Sequence, residues 1–252
     1  MKIIVTESYE EMSKKTADII EEELLANDNI VLGLATGSTP IGTYNELIRR
    51  HSEGILDFSN AKSFNLDEYL GLSAEDVNSY NYFMKDKLFE HINLPNENAH
   101  VPDGLTDDPE NYGDSYDKLI KESGGIDLQI LGIGANGHIA FNEPAEELRY
   151  TTGPVILTEQ TIEDNSRFFE SKDLVPTSAV TMGMGSIMKA KRILLLANGL
   201  GKADAIAQLL NSKKITTFLP ASLLLLHSDA TLICDREAFS QVNIEDMAGE
   251  LV

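Results

Sequence analysis

Apolar residues recur along the chain with two periods. Short β-branched runs alternate with longer stretches at helical spacing. Lys2–Thr6 (KIIVT) reads as a short apolar strand. Met12 to Leu25 follows, with Met12, Thr16, Ile19, Ile20, Glu23 and Leu24 at roughly helical intervals. Ile30–Ala35 (IVLGLA) is nearly continuous in apolar character, as expected of a strand buried on both faces. Thr36–Pro40 reads as a turn. Ile41–His51 is then a helix, with Pro40 expected at the first helical position, where a missing N–H costs nothing. Ala61–Leu66 is a further strand. Ser79–His91 is a helix with Phe83, Leu88 and Phe89 inward, and Pro109–Ser123 is a helix ended by Gly124-Gly125. Asp127–Ile133 (DLQILGI) and Lys191–Ala197 (KRILLLA) are strong buried strands. A helix over Lys202–Leu210 follows, and Ala230–Cys234 (ATLIC) closes the series. This rhythm predicts an α/β chain built on a parallel sheet with helices on both faces. No repeat, low-complexity stretch or linker interrupts it, so residues 1–252 read as one domain. Asn142–Thr177 has little periodicity and is long for a connection, which marks it as a lid or binding loop.

Composition narrows the function. Lys and Arg number 20 against 41 Asp and Glu, a net charge of −21. Such a surface repels phosphate backbones and anionic membranes, so neither nucleic acid nor membrane is expected as a partner. A small phosphorylated ligand in one pocket remains compatible with it. With Cys234 alone there is no intrachain disulfide, and the start MKIIVTESYEEM meets acidic residues at once, unlike a secretory signal. No apolar run approaches the ~20 residues of a membrane span. A cytoplasmic protein is the expectation.

In open parallel sheets ligands sit beyond the carboxyl ends of the strands. Four places there concentrate glycine and polar residues: Thr36-Gly37-Ser38-Thr39, Asp67-Glu68, Gly134 to Glu143, and Asn198 to Lys202. The first follows a buried strand and opens a helix, whose free N–H groups and dipole suit a phosphate. An ordinary capping turn is the alternative. Gly132-Ile133-Gly134-Ala135-Asn136-Gly137 matches G-x-G-x-x-G, yet Pro144 cuts short any helix that would receive a pyrophosphate. These glycines instead let the backbone pass close to a sugar. His138 and Glu143 share that loop with Asn136. A carboxylate beside a His fixes its tautomer and raises its basicity, as acid–base work requires; a structural His satisfied within a turn is the alternative. The spacing matches no zinc pattern, so no metal is expected. Asp67-Glu68 ends a strand on this reading. It offers either a base for abstracting a proton beside a carbonyl or imine, or a helix cap. Lys202 and Arg167 are the cations placed to meet a phosphate; each could equally be a surface charge.

Together these residues resemble the glucosamine-6-phosphate deaminase family. The matching stretches are LGLATGSTP (32–40), FNLDEYLGL (64–72), LGIGANGHIAFNEP (131–144), NSRFF (165–169) and the Lys of NGLGK (198–202), in the family's order and across nearly the whole chain. The resemblance implies a doubly wound, mainly parallel, Rossmann-like sheet. It implies conversion of glucosamine 6-phosphate and water to fructose 6-phosphate and ammonia, without cofactor or metal. Thr36, Gly37, Ser38 and Thr39 would cradle the phosphate with Arg167 and Lys202. His138 would open the pyranose ring, oriented by Asn136 and Glu143. Asp67 would carry the C2 proton to C1.

Two departures stand out. Ser38 replaces a second glycine, which is tolerable at negative φ. Asn136 replaces the Asp of many members and supplies no charge, so His138 depends more on Glu143. Some members are activated by N-acetylglucosamine 6-phosphate at a second, intersubunit site. The matching positions here are Glu146, Gly153 and Val155, with little chain after Asp246, so no such activation is expected. A sugar-phosphate lactonase or isomerase on the same fold is the competing enzyme reading, and a sugar-phosphate sensor the non-enzymatic one. A sensor has no use for Asp67 and His138 together. A homo-oligomer is left open by the sequence.

Overall fold

The computed structural model describes residues 1–212 and 214–243, the side chain of Phe168 excepted. Its elements run β1 (Lys2–Thr6), α1 (Tyr9–Ala26), β2 (Val31–Leu34), α2 (Ile41–Ser52), β3 (Lys62–Asn65), β4 (Asp67–Tyr69), α3 (Tyr80–Lys87), β5 (Ala99–His100) and α4 (Pro109–Glu122). They continue with β6 (Leu128–Gly132), β7 (Gly153–Ile156), α5 (Glu159–Asn165), β8 (Ser178–Thr181), α6 (Met184–Ile187), β9 (Arg192–Ala197), α7 (Ala203–Asn211), β10 (Ala230–Asp235) and α8 (Arg236–Phe239).

Seven strands form one sheet in the order β1-β10-β9-β6-β2-β3-β5, every pair parallel. The apolar runs explain why both faces are covered. Side chains alternate along a strand, so each run of consecutive apolar residues must feed two cores. Leu128, Ile130, Leu194, Leu196 and Ile233 pack with Met12, Ile20, Tyr44, Leu47 and Met84 of α1, α2 and α3. Their neighbours Leu131, Ile193, Leu195, Leu232 and Cys234 pack with Tyr116, Ile187, Ile206 and Leu209 of α4, α6 and α7. The sheet is doubly wound, as the sequence pattern predicted.

Strand order locates the site. From β2 the chain builds outward through β3 and β5, then returns to lay β6 on the other flank of β2 and continues away through β9 and β10. The crossovers therefore diverge between β2 and β6. Beyond the carboxyl ends of these two strands the connections leave a crevice. The turn after β2 is Thr36–Thr39, and the loop after β6 begins at Ile133.

Three details depart from the sequence reading. Asp67 does not end a strand but opens one. Leu66 is the crossing point: its N–H donates to Leu34 O (3.2 Å), and its carbonyl accepts from Met182 N (2.8 Å). The chain thereby leaves the large sheet for a second, three-stranded antiparallel sheet, β4-β8-β7, in which Asp67 pairs with Thr181. Secondly, the stretch 142–177 is not a plain loop. It contains β7, α5 and 3-10 turns at Ser166–Phe168 and Lys172–Leu174. These elements are too short and too half-exposed to print a period. Thirdly, Pro40 is the residue ahead of α2, its carbonyl accepting from Tyr44 N (3.0 Å).

Candidate active site

A cleft of about 600 Å³ opens at the divergence of the two crossovers. Thr36, Gly37, Ser38, Thr39, Asp67, His138, Arg167 and Lys202 all line it. Thus eight of the ten residues singled out from the sequence share one cavity.

One end of the cleft is suited to an anion. Gly37 adopts φ +89°, a left-handed conformation that costs a side-chain-bearing residue, and thereby turns the chain into α2. Ser38 is not at positive φ, so the second glycine of many family members is dispensable here. The turn is braced from outside: the Tyr9 hydroxyl donates to Ser38 O (3.1 Å) and accepts from Gly42 N (2.7 Å). Thr39 Oγ1 donates to Asn198 Oδ1 (2.9 Å), tying the turn to the segment that carries Lys202. That segment is held in turn by Gly199 N, which donates to the Asp235 carboxylate (2.9 and 3.0 Å). Lys202 is half-buried. Burial lowers its pKa, the nearby positive charge of Arg167 lowers it further, and Asp164 opposes both. A half-buried Lys202 disfavoured by a second cation lining the same cavity, beside a helix N-terminus, forms an environment that a phosphate dianion would relieve.

At the other end Asp67 and Glu68 separate into different tasks. Glu68 is almost wholly buried, and its carboxylate accepts three backbone N–H groups: Tyr69 (2.8 Å), Tyr80 (2.9 Å) and Asn81 (2.8 Å). Tyr80 and Asn81 open α3, so Glu68 caps that helix from twelve residues upstream, while Ser79 Oγ accepts from Tyr82 N (3.0 Å). Burial nevertheless pushes Glu68 up to about 7 against these bonds. Asp67 is 6% exposed and, among the described residues, its carboxyl receives no hydrogen bond. Burial first, and the Glu68 charge second, push it up to about 8. A carboxyl with no structural employment, facing a cleft at raised basicity, is equipped to take a proton. Around it Tyr69 OH accepts from Asn165 Nδ2 (2.8 Å) and from Tyr80 OH (3.2 Å), and Phe141 packs on both rings.

His138 lines the cleft, with Asn136 and Glu143 behind it. Its Nδ1 faces Glu143 Oε1 at 3.2 Å, without the alignment of a formed hydrogen bond. The Thr161 hydroxyl donates to the same Oε1, Asn136 Nδ2 donates to Oε2 (2.8 Å), and Asn136 Oδ1 accepts from His138 N (3.1 Å). Burial pushes the Glu143 carboxyl up, but the His138 imidazole, then Thr161 and Asn136, outweigh it and hold the group down at about 2. Glu143 is therefore an anion throughout the neutral range. Asn142 anchors the loop, donating from Nδ2 to Ile139 O (3.0 Å) and Met182 O (2.8 Å). Ala140 has φ +52°, alone among the described non-glycine residues at positive φ, so backbone strain concentrates beside this His. Among the described residues no group of three or more His, Cys, Asp or Glu has the placement to hold a metal. No helix among them is long and apolar enough to cross a membrane.

Tyr69, Thr161 and Asn165 were not singled out from the sequence, where Glu68 and Asn198 stood as neighbours of Asp67 and Lys202. Only Thr161 carried a local signal, the Thr158-x-x-Thr161 start of a helix, in which Thr158 Oγ1 accepts from Thr161 N (3.2 Å).

The family model described as glucosamine-6-phosphate isomerases/6-phosphogluconolactonase matches residues 5–233. A glucosamine-6-phosphate deaminase of Thermoanaerobacter sp. (strain X514) is 53% identical over 98% of this chain and 97% of its own. Another, of Clostridium perfringens (strain 13 / Type A), is 53% identical over 94% of this chain and 98% of its own. A solved monomeric glucosamine-6-phosphate deaminase superposes with a TM-score of 0.93 and 46% identity, covering 96% of this chain and all of that one, 100%. The 6-phosphogluconolactonase of Trypanosoma cruzi shares the fold, with a TM-score of 0.75 and 22% identity over 96% of this chain and 97% of that one. The motifs around Asp67 and His138, the cleft that unites them and these full-length likenesses agree, and the chain belongs to the glucosamine-6-phosphate isomerase/6-phosphogluconolactonase family, among its glucosamine-6-phosphate deaminases.

Proposed function

We propose that the cleft converts glucosamine 6-phosphate and water to fructose 6-phosphate and ammonia, as an intramolecular isomerisation followed by deamination. The observation that carries this reading is one cavity with an anion-suited turn and two cations at one end, and an unbonded buried carboxyl with a carboxylate-backed His at the other.

The phosphate is held by the Thr36–Thr39 turn, Arg167 and Lys202, remote from the bonds that change. Its binding energy positions the reacting end. His138 shuttles the proton between O1 and O5 as the C1–O5 bond breaks, with Glu143 stabilising the imidazolium and Asn136 fixing the loop. Asp67 then takes the proton from C2 of the open chain and returns it to C1. Loss of the C2 proton leaves an enolamine, with O1 protonated; return of that proton to C1 converts the enolamine to the C2 imine, and water adds at C2 and releases ammonia. The described residues act as one domain, in the cytoplasm; residues 213 and 244–252 lie outside them.

Purified protein should release ammonia and fructose 6-phosphate stoichiometrically from glucosamine 6-phosphate. Hydrolysis of 6-phosphogluconolactone without ammonia release from the amino sugar would instead favour the lactonase reading. Lys202→Ala should raise KM strongly, and free glucosamine should be a very poor substrate. Equal turnover of the sugar with and without phosphate would remove the assignment of that end of the cleft.

We further propose hyperbolic kinetics without activation by N-acetylglucosamine 6-phosphate. Glu146 is exposed, and Gly153 and Val155 lie within β7, where none of the three supplies a cation for a second phosphate. Asp246 lies outside the described residues. Sigmoidal rates made hyperbolic by that compound would overturn this.

A further inference from the structure

Thr161 has no place in the reaction as derived above, yet it is the one buried residue of α5. At 5% exposure its hydroxyl is withdrawn from water and spent on a catalytic neighbour's partner. Thr161 Oγ1 donates to Glu143 Oε1, the same oxygen that faces His138 Nδ1 at 3.2 Å. The hydroxyl's own lone pair is taken by Thr158 Oγ1, which donates to it (3.1 Å), while Thr158 in turn accepts from Thr161 N (3.2 Å). Thr158 is the N-cap of α5, so the helix start fixes both hydroxyl protons in one direction. With Thr158 donating to it, the Thr161 proton is committed to Glu143. The other carboxylate oxygen is held by Asn136, and the two donors together leave Glu143 one orientation.

We propose that Thr161 is a positioning residue for ring opening: its directed hydroxyl sets the Glu143 carboxylate, and through it the ring plane of His138. The proposal deepens the deaminase reading and rests on it. A hydroxyl donating to an ionised, half-buried carboxylate is among the stronger protein hydrogen bonds. Without it Oε1 is free to rotate away from Nδ1. Thr161 borders the cleft, but its hydroxyl is spent on Glu143, so its removal falls on the rate of the chemical steps and spares phosphate recognition.

The test compares Thr161→Val, which keeps the shape and removes the hydroxyl, with Thr161→Ser, which restores it. With glucosamine 6-phosphate, Thr161→Val should lower kcat on the order of 10- to 100-fold with KM nearly unchanged. Thr161→Ser should recover most of that rate. In a Glu143→Gln background, Thr161→Val should cost little more, because the group through which it acts is already gone. A Val variant with wild-type kcat, a Ser variant as slow as Val, or full additivity with Glu143→Gln would each overturn the proposal. The same would follow from an effect confined to KM. A wild-type protein that releases no ammonia would defeat the deaminase reading itself, and is distinguishable because no variant need be made to see it.

Discussion

Replacing Asp67 by Asn is expected to lower ammonia release from glucosamine 6-phosphate by about 10²–10⁴-fold, the usual contribution of a positioned general base. The substitution preserves shape and removes the proton acceptor. Nothing in the fold should resist it, since the Asp67 carboxyl receives no hydrogen bond among the described residues, and Thr181 is held to Asp67 by the backbone alone. Two further readouts separate removal of a base from general damage. In deuterated water the variant should no longer exchange the C2 hydrogen; exchange at the wild-type rate would assign the base elsewhere. Stability should also respond to pH with a definite sign. Asp67 is pushed up to about 8 from an ordinary value of 3.8, so the folded state holds a proton that the unfolded state has released. The stabilisation from that proton is complete below about 4 and is lost as pH rises through about 8. Asn has no such dependence. The Tm of Asp67→Asn relative to wild type should therefore climb between about pH 5 and pH 8, and a constant difference would count against a raised carboxyl. In catalysis the same shift places the rising limb of the wild-type kcat/KM profile above the ordinary carboxylate range. Asp67 and Glu68 are adjacent and both raised by burial, so that limb belongs to the pair.

What the sequence made legible, and what it did not, follows from the range of the interactions. Strands buried on both faces print themselves as apolar runs, and the six strands expected from the sequence all lie in the large sheet. Turns demanding a glycine print themselves too, as Gly37 does. The second sheet was invisible because β4 is three residues long and β7 is half-exposed, with Ile156 at 85% exposure. Neither has the length or the burial to impose alternation. The division of labour between Asp67 and Glu68 was invisible for another reason. Either side chain alone fits a helix cap or a base, and the choice is made by α3, which brings the amides of Tyr80 and Asn81 to Glu68 and none to Asp67. Thr161 belongs to the same class, since its meaning depends on Glu143, eighteen residues away in sequence. Local chemistry named the candidates; long-range packing decided which of them faces the cleft.

Packing also gives Gly134 an expected effect as large as that of a catalytic residue. Its φ is not positive, so an alanine suits the backbone. The obstacle is the His138 ring, which lies across the position a side chain would fill. A Cβ there would stand 2.3 Å from Cε1 and 2.4 Å from both ring nitrogens. No ring atom can stay at that separation, so Gly134→Ala must swing the imidazole out of its place. The displaced ring no longer meets Glu143 through Nδ1, nor does it keep whatever approach it makes to a sugar in the cleft. Because a single flexible side chain yields rather than the main chain, the fold should survive with little change in Tm. Activity should fall close to that of His138→Ala, about 10²–10⁴-fold where the His is the acid–base group. The decisive comparison is the pair of substitutions together. In a His138→Ala background the space opposite Gly134 is open, so Gly134→Ala should cost almost nothing further in kcat, and the two effects should be far from additive. Additive effects, or a Gly134→Ala variant that unfolds while His138→Ala does not, would show that Gly134 serves the loop's backbone. A Gly134→Ala variant as fast as wild type would mean that the imidazole has a second productive place in the cleft, and that its present position facing Glu143 is not what ring opening requires.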